Sequence, residues 1–286
     1  MSDPDKSIYS TTLTPKSIQE GKKVSIEAFQ LSDIPAAMRN MGWKIAPKLM
    51  EHWFSRDAFE MTERSKIDYI NTIPANELPS RLCETNLVKM AWVQSFPAGK
   101  QAISKLLAQR FTQNSLSLLR KRLMTAGWDG NKENFPLGFT NIGVRYFEST
   151  CQIQSVSIGS PSDTINDFYG AIGRATLKLG VTGYTKIGRD GYWYFVIHRY
   201  GIYLKDSYDF VGDSQFLGYW SKKRTMTKAE MITPSSISAE DMGFVKVHNG
   251  DFNQYRSFHK KGGDFIIFSD IAWLTAPPNT AIRLPT

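Results

Sequence analysis

The sequence predicts an α+β fold, with a helical N-terminal half followed by a mainly antiparallel, β-rich C-terminal half. Apolar residues recur at steps of three or four from about residue 33 to residue 126, as on one face of a helix. Short segments after residue 138 alternate apolar and polar residues instead, as strands do. Aromatic residues make up 13% of the 286 residues, a content that also favours sheet.

The first half of the chain is predicted to contain a leader and a helical domain. Residues 1–24 are polar without periodicity, which predicts a flexible leader. A helical domain is predicted over residues 25–130. Its first helix begins near Asp33 and Pro35 and continues through an apolar stripe to Trp53. Further helical patterns cover 56–72, 84–96 and 99–126.

A turn-rich segment at 127–138 is the predicted domain boundary, and residues 139–286 form the predicted catalytic domain. We expect a strand over 142–158 and a helix within 163–179. The strongest strand signal runs from 191 to 204, with a turn expected at Tyr200-Gly201. Short strands at 245–247 and 265–268 and an extended tail complete the pattern.

Composition and the absence of common motifs exclude several classes of protein. The 35 basic and 27 acidic residues give a formal net charge of +8, which permits attraction to nucleic acid or to anionic lipid. Cys83 and Cys151 form no metal-binding spacing, so buried thiols are expected. The polar start predicts synthesis in the cytoplasm without a signal peptide. The sequence contains no phosphate-binding loop, nucleophile elbow, zincin motif or dinucleotide fingerprint. This disfavours phosphate-loop enzymes, serine hydrolases of the elbow type, zincins and dinucleotide-binding proteins.

Three carboxylates lie within eight residues directly after the strongest strand, at Asp206, Asp209 and Asp213, with Tyr208 between the first two. Like charges repel, so such a cluster suits either a bound cation or a carboxyl with a shifted pKa. Asp206 and Asp209 are therefore candidate ligands for Mg²⁺, and also candidate catalytic residues. A polar strand end with a turn at Asp213 is the structural alternative.

Candidate partners for these carboxylates are histidines and basic residues. His198 lies at the end of the first part of the strongest strand signal, and with a turn at Tyr200-Gly201 it would come close to Asp206. His248 precedes a turn signal and is a second candidate general acid or base. A glycine-containing basic loop could hold phosphate through its charge and its backbone N–H groups. The candidate substrate-binding residues are Arg199, Arg256, His259, Lys260 and Lys261.

Several segments over roughly residues 30–275 resemble an uncharacterised proteobacterial domain family whose members look like cargo or neighbours of type VI secretion systems. The resemblance implies an antibacterial effector that reaches the periplasm of a target cell, with a cognate immunity protein and secretion components as partners. The segments that carry it are Ile34-Pro35-Ala36-Ala37-Met38, Gly42-Trp43, Leu49-Met50, Trp53-Phe54, Asp206-Ser207-Tyr208-Asp209-Phe210, Leu217-Gly218-Tyr219-Trp220 and Gly262-Gly263-Asp264-Phe265-Ile266-Ile267-Phe268-Ser269-Asp270.

A shorter resemblance is to the catalytic signature of colicin M, matched here by Asp206, Tyr208 and Asp209. It implies cleavage of the pyrophosphate linkage of lipid II, an anionic lipid-linked substrate, with Mg²⁺. The family continues with His-Arg, where this chain has Gln215 and Phe216. Under this resemblance His198, His248 or His259 would have to supply the missing histidine.

Three alternatives stay open at this point. The net positive charge and an acidic cluster that could bind metal permit a nuclease toxin, although no nuclease motif occurs. Amphipathic helices within 99–126 permit a non-enzymatic, membrane-active effector. An adaptor of the secretion apparatus is the third alternative. Mutation of Asp206 would abolish only the enzymatic activities.

Overall fold

A computed structural model describes residues 28–232 and 238–285. Within them the chain forms helices over much of 34–125 and a large, mainly antiparallel sheet afterwards, which confirms the predicted α+β class. The predicted leader, residues 1–24, lies outside the described residues. None of the described helices is both long and apolar enough to cross a bilayer.

Prolines and polar caps determine where several helices begin. Pro35, Pro47 and Pro97 lie in first turns, where their missing N–H groups leave no bond unmade. Thr62 and Thr112 cap two others through their side chains. The described helices are α1 (Ile34–Asn40), α2 (Ala46–Ser55), α3 (Glu63–Ile67), α4 (Met90–Ser95), α5 (Pro97–Ala108), α6 (Gln113–Thr125), α7 (Val144–Cys151), α8 (Asp167–Ala171), α9 (Lys228–Ile232) and α10 (Asn249–His259).

The first predicted helix is in fact two. Gly42 adopts φ 78°, a left-handed conformation that favours glycine, and the chain turns there between α1 and α2. The pattern over 56–72 yields only α3 and one π-helical turn, Asp68–Thr72. The pattern over 99–126 divides into α5 and α6.

The described strands are β1 (Cys83–Glu84), β2 (Pro136–Leu137), β3 (Gln152–Ile158), β4 (Ala175–Ile187), β5 (Trp193–Tyr208), β6 (Phe216–Trp220), β7 (Val245–His248), β8 (Phe265–Phe268), β9 (Ala272–Thr275) and β10 (Ala281–Arg283). β5 is central. It pairs antiparallel with β4 along one side and with β10, β9 and β8 in turn along the other. β2 and β3 pair with β4, β1 pairs parallel with β8, and β6 and β7 form a separate two-stranded antiparallel sheet.

The predicted turn at Tyr200-Gly201 is wrong, because both residues lie inside the continuous strand β5. Gly201 faces Gly180 of β4 in the sheet. A Cβ atom on either glycine would lie 2.6 Å from the ring of Phe147. The glycines therefore leave space for α7 to pack on the sheet, and they do not reverse the chain.

Two other predicted elements are confirmed only in part. The expected strand over 142–158 is α7 followed by β3, and buried Val144, Phe147 and Cys151 follow helical spacing. The expected helix over 163–179 is the single turn of α8 followed by β4. The strands expected at 245–247 and 265–268 are confirmed as β7 and β8.

Both halves of the chain contribute to one hydrophobic cluster. The indole N–H of Trp53 donates to Asp264 Oδ1 at 2.9 Å, although the two residues belong to different halves. The backbone N–H of Ala46 likewise donates to Asp167 Oδ1 at 2.8 Å. The segment 127–138 therefore marks a change of secondary structure, and it does not separate two cores.

Candidate active site

The end of β5 places neighbouring side chains on opposite faces of the sheet. Asp206 pairs with Ile267 of β8 and lines a cavity of about 420 Å³. Lys205, one residue earlier, lines a different pocket on the other face. This alternation is the ordinary period of a strand, and it separates a carboxyl group from a lysine that is adjacent to it in sequence.

The cavity around Asp206 has mainly apolar walls. They come from α1, α2, α8, the two-stranded β6–β7 sheet, α9 and α10. Trp43 and Trp220 meet edge to face across it, with ring centroids 6.2 Å apart. Its polar lining includes Asp206, Asp209, Tyr169, Gln215 and Lys228. The size lies within the range of small-molecule sites, which combine apolar walls with a few placed polar groups.

Asp209 forms an ion pair with Lys66 of α3. The Lys66 Nζ lies 3.0 Å from Oδ1 and 2.9 Å from Oδ2 of Asp209. The Asp209 side chain is only 6% exposed, whereas that of Lys66 is 37% exposed. The backbone N–H of Val211 also donates to Oδ1 at 3.3 Å. The ammonium thus supports the negative charge of this carboxylate in a place that water barely reaches.

Asp206 has a different environment. The residue is half-buried and lines the cavity. Burial raises the pKa of Asp206 well above its ordinary value, and the negative charge of Asp209 acts in the same direction. The backbone of Ser207 and the charge of Lys66 oppose the shift only in part. Two carboxyl groups with divergent environments are the usual arrangement of an acid and its ionised partner.

Tyr208 is a core residue beside the cavity. Its ring stacks on Phe265 at 5.1 Å between centroids and meets Phe210 edge to face at 5.8 Å. The side chain is buried, and burial raises the pKa of its hydroxyl. Tyr208 therefore keeps its proton and serves as a wall of the cavity.

The structure does not bring His198 and Arg199 to Asp206. Both are exposed, in the middle of β5. Asp206 lies eight positions after His198 in the strand, so the two residues are roughly 26 Å apart at the usual rise per residue. His198 packs on Tyr184 instead, with ring centroids 5.1 Å apart. The expected proximity depended on the turn that is absent from this strand.

His248 and His259 line a second, open groove along α10, together with Asp213 and Asp251. His248 is the residue before α10, and its backbone N–H donates to Asp251 Oδ2 at 2.7 Å. The ring of His259 lies 4.3 Å from that of Tyr255. Neither histidine lines the Asp206 cavity.

Arg256 is a structural residue. It is 6% exposed and pairs with fully buried Asp264. Its Nε donates to the carbonyl of Gly262 at 2.9 Å, and its guanidinium lies 5.3 Å from the ring of Trp53. Burial raises the pKa of Asp264 to about 6, although hydrogen bonds from Trp53 and Met61 favour ionisation. The guanidinium is therefore committed to the core and cannot act as a phosphate ligand in this geometry.

The predicted phosphate loop is wrong for a similar reason. The N–H of Gly262 donates to Arg56 at 2.9 Å and that of Gly263 donates to Trp53 at 3.1 Å, so neither backbone group is free. A Cβ on Gly262 would lie 2.3 Å from the Trp53 ring. Lys260 ends α10 at φ 54°, and Lys261 pairs with exposed Asp57 at 2.8 Å. Gly262 makes room for an indole, whereas a Cβ on Gly263 would lie 2.5 Å from the carbonyl oxygen of Asp57.

The donors predicted for Mg²⁺ do not fit that ion as they stand. Both oxygens of Asp209 are held by Lys66, which already supplies the compensating charge. Within residues 28–232 and 238–285, no three His, Cys, Asp or Glu side chains are grouped as metal ligands would be. Mg²⁺ stays a prediction, and no step below depends on it.

Sequence reasoning missed Lys66. It lies 143 residues before Asp209, in a segment interpreted only as amphipathic helix. No local spacing links the two residues. The aromatic walls of the cavity, Trp43 and Trp220, lay within the segments of the first resemblance, but nothing in their spacing indicated a cavity.

A model of the DUF6402 family, a family of unknown function, matches residues 29–284. The chain belongs to this family. The DUF6402 match spans the cavity and the whole sheet, so both are parts of the family domain. No curated protein and no solved structure matches the chain. The DUF6402 description names no activity, and the links to type VI secretion and colicin M therefore stay predictions.

Proposed function

We propose that this protein is an antibacterial effector toxin that acts on the cell envelope as a hydrolase, with Asp206 and Asp209 as its reactive pair. One observation carries the hydrolase: two carboxyl groups with opposite environments line the same apolar cavity. The sequence resemblances support the effector role and the lipid-linked substrate.

The two carboxyl groups have complementary roles. Asp206, whose pKa is raised by burial, donates its proton to the oxygen of the leaving group. Asp209, paired with Lys66, orients a water molecule and takes its proton as the water oxygen attacks. The water thus divides between the two products. Proton exchange with solvent then returns Asp206 to the acid form and Asp209 to the carboxylate.

The cavity favours an amphiphilic substrate. Its walls, including Met38, Trp43 and Trp220, provide an apolar surface, while the carboxyl groups lie together at the end of β5. A lipid-linked phosphate ester places an apolar chain next to a polar scissile linkage, which matches this division. The pyrophosphate linkage of lipid II is the specific substrate that we propose.

The first test is growth of a bacterium that expresses the chain with or without an added signal peptide. We expect killing with lysis only when the chain is exported. Asp206→Asn and Asp209→Asn should each abolish it, while Asp213→Asn should not. Asp213 is the matched control, because it belongs to the same acidic segment but is exposed and does not line the cavity.

The other outcomes identify the alternatives. Killing by the unexported chain would overturn the envelope proposal and favour a nuclease. Killing that survives both substitutions would favour a membrane-active protein. Absence of killing in both compartments, with the chain shown to be folded, would favour an adaptor.

A further inference from the structure

A second polar pocket lies on the face of the sheet opposite Asp206. Glu148 of α7, Lys178 of β4 and Lys205 of β5 meet there, beside the π-helical turn. The Lys178 Nζ lies 2.5 Å from Glu148 Oε1, and the Lys205 Nζ lies 3.2 Å from the same oxygen. The hydroxyl of Tyr203 donates to the other oxygen of Glu148. The pocket encloses about 270 Å³.

The charges around this pocket do not balance. Lys178, Lys205 and Arg122 face it with three positive charges, and Glu148 supplies one negative charge. Its other lining residues are uncharged. The side chains of Lys205, Glu148 and Lys178 are 2%, 9% and 13% exposed, so water screens this excess poorly. A site with two uncompensated positive charges favours a doubly negative ligand.

The pocket also retains hydrogen-bond donors. Lys205 uses its ammonium on Glu148 and on the carbonyl of Ile70, at 2.8 Å. Arg122 is committed to backbone carbonyls, including that of Gln152 at 3.2 Å. Lys178 meets one acceptor among the described residues, Glu148, although an ammonium carries three N–H groups. The remaining N–H groups of Lys178 are therefore available to a ligand at the pocket mouth.

We propose that this pocket binds a phosphate group, either free phosphate or a small phosphomonoester. A phosphate group matches the excess of two charges and accepts hydrogen bonds from several donors at once. The volume suits a phosphate with a few waters or a short ester, since one water occupies about 30 Å³. Burial lowers the pKa of Lys205, with Lys178 acting in the same direction, and a bound anion would relieve both effects.

This site is independent of the proposed hydrolase. It lies on the other face of β5 and shares no lining residue with the Asp206 cavity. Either assignment stands if the other fails.

Calorimetric titration of the whole chain tests the proposal, with inorganic phosphate in one arm and glycerol phosphate in the other, against chloride at equal ionic strength. We expect saturable binding that Lys178→Met weakens by about tenfold or more, the scale of one charge-assisted hydrogen bond. Lys186→Met is the matched control, because Lys186 is an exposed lysine of the same strand. The tighter arm distinguishes free phosphate from an ester.

Absence of saturable binding in both arms would overturn the proposal, and so would equal weakening by Lys178→Met and Lys186→Met. Amide chemical-shift mapping of the wild-type chain gives an answer even if Lys178→Met does not fold. Phosphate-dependent shifts concentrated at residues 148, 178 and 205 would support the site. Shifts spread over exposed lysines would overturn it.

Discussion

Lys66 and Asp209, which are 143 residues apart, meet through both carboxylate oxygens at 2.9 and 3.0 Å. This ion pair joins α3 to the segment that follows β5. It also gives Asp209 an environment opposite to that of Asp206, whose carboxyl group is buried without a comparable cation. The proposed division of roles between the two carboxyl groups depends on this pair.

The Lys66–Asp209 pair predicts a specific pattern in a double-mutant cycle. Lys66→Met leaves a buried carboxylate without its cation, and we expect a loss of roughly 1–2 kcal/mol in the free energy of unfolding. This range is below that of a fully buried pair because Lys66 is 37% exposed. Lys66→Met combined with Asp209→Asn should regain most of that stability without regaining activity. Urea unfolding measures the first quantity, and additive losses in the double variant would contradict the pairing.

The raised pKa of Asp206 predicts how stability depends on pH. In the unfolded chain an aspartate ionises near pH 4, whereas the folded protein retains the proton to higher pH. The stability that this proton contributes is complete below about pH 4 and is lost as pH rises through the folded pKa. Asp206→Asn cannot ionise, so its free energy of unfolding should increasingly exceed that of the wild type between pH 4 and 7. Asp213→Asn is the control, and a pH-independent difference for Asp206→Asn would refute the shift.

The pH dependence of the hydrolysis rate should reflect the protonation of Asp206. If Asp206 is the general acid, the rate of hydrolysis falls as pH rises through its folded pKa, because only the protonated form can donate. The remaining activity of Asp206→Asn should lack this alkaline decline. A wild-type profile with no decline on the alkaline side would assign the acid to another group.

Substitution of histidines tests the proposed Asp206–Asp209 site against the colicin M resemblance, which requires a histidine. His198→Ala and His259→Ala should each leave killing and hydrolysis unchanged within about twofold, because neither residue lines the Asp206 cavity. A loss of activity in a variant that unfolds at the wild-type urea concentration would mean that the reactive site is elsewhere.

The packing of α7 on the sheet predicts that substitutions at Gly201 and Phe147 have coupled effects on stability. Gly201→Ala would place a methyl group 2.6 Å from the Phe147 ring, so we expect a loss of about 1–3 kcal/mol in stability. Phe147→Leu shortens that side chain and should recover part of the loss in the double variant. Thermal unfolding of the four proteins measures the coupling. Independent effects would show that the close approach is relaxed in solution.

The sequence predicted the fold where the signal was local. The apolar and aromatic run over residues 192–197 indicated the central strand, and the carboxyl groups of Asp206 and Asp209 do lie at its end. The predicted turn failed because Gly201 could equally serve a turn or a close approach, and only the position of Phe147 decides between them.

The site was harder to predict because its arrangement depends on long-range contacts. Lys66 reaches Asp209 only after α3 packs near the end of β5. Gly262 and Gly263 suggested a phosphate loop, but Gly262 accommodates Trp53 and Gly263 lies against the backbone of Asp57. Arg256 suggested a substrate ligand, yet its guanidinium forms an ion pair with the buried side chain of Asp264. In each case a contact that forms only in the folded chain determines the role of the residue.

The most direct test of the hydrolase is incubation of the purified chain with lipid II, followed by separation of the lipid and sugar-phosphate products. We expect the wild type and Asp213→Asn to release the pyrophosphorylated headgroup, and Asp206→Asn to be slower by about a hundredfold or more, the usual contribution of a general acid. DNA and RNA incubated in parallel should remain intact. Intact lipid II after incubation with a folded wild-type chain, or equal cleavage by Asp206→Asn, would contradict the proposed reaction.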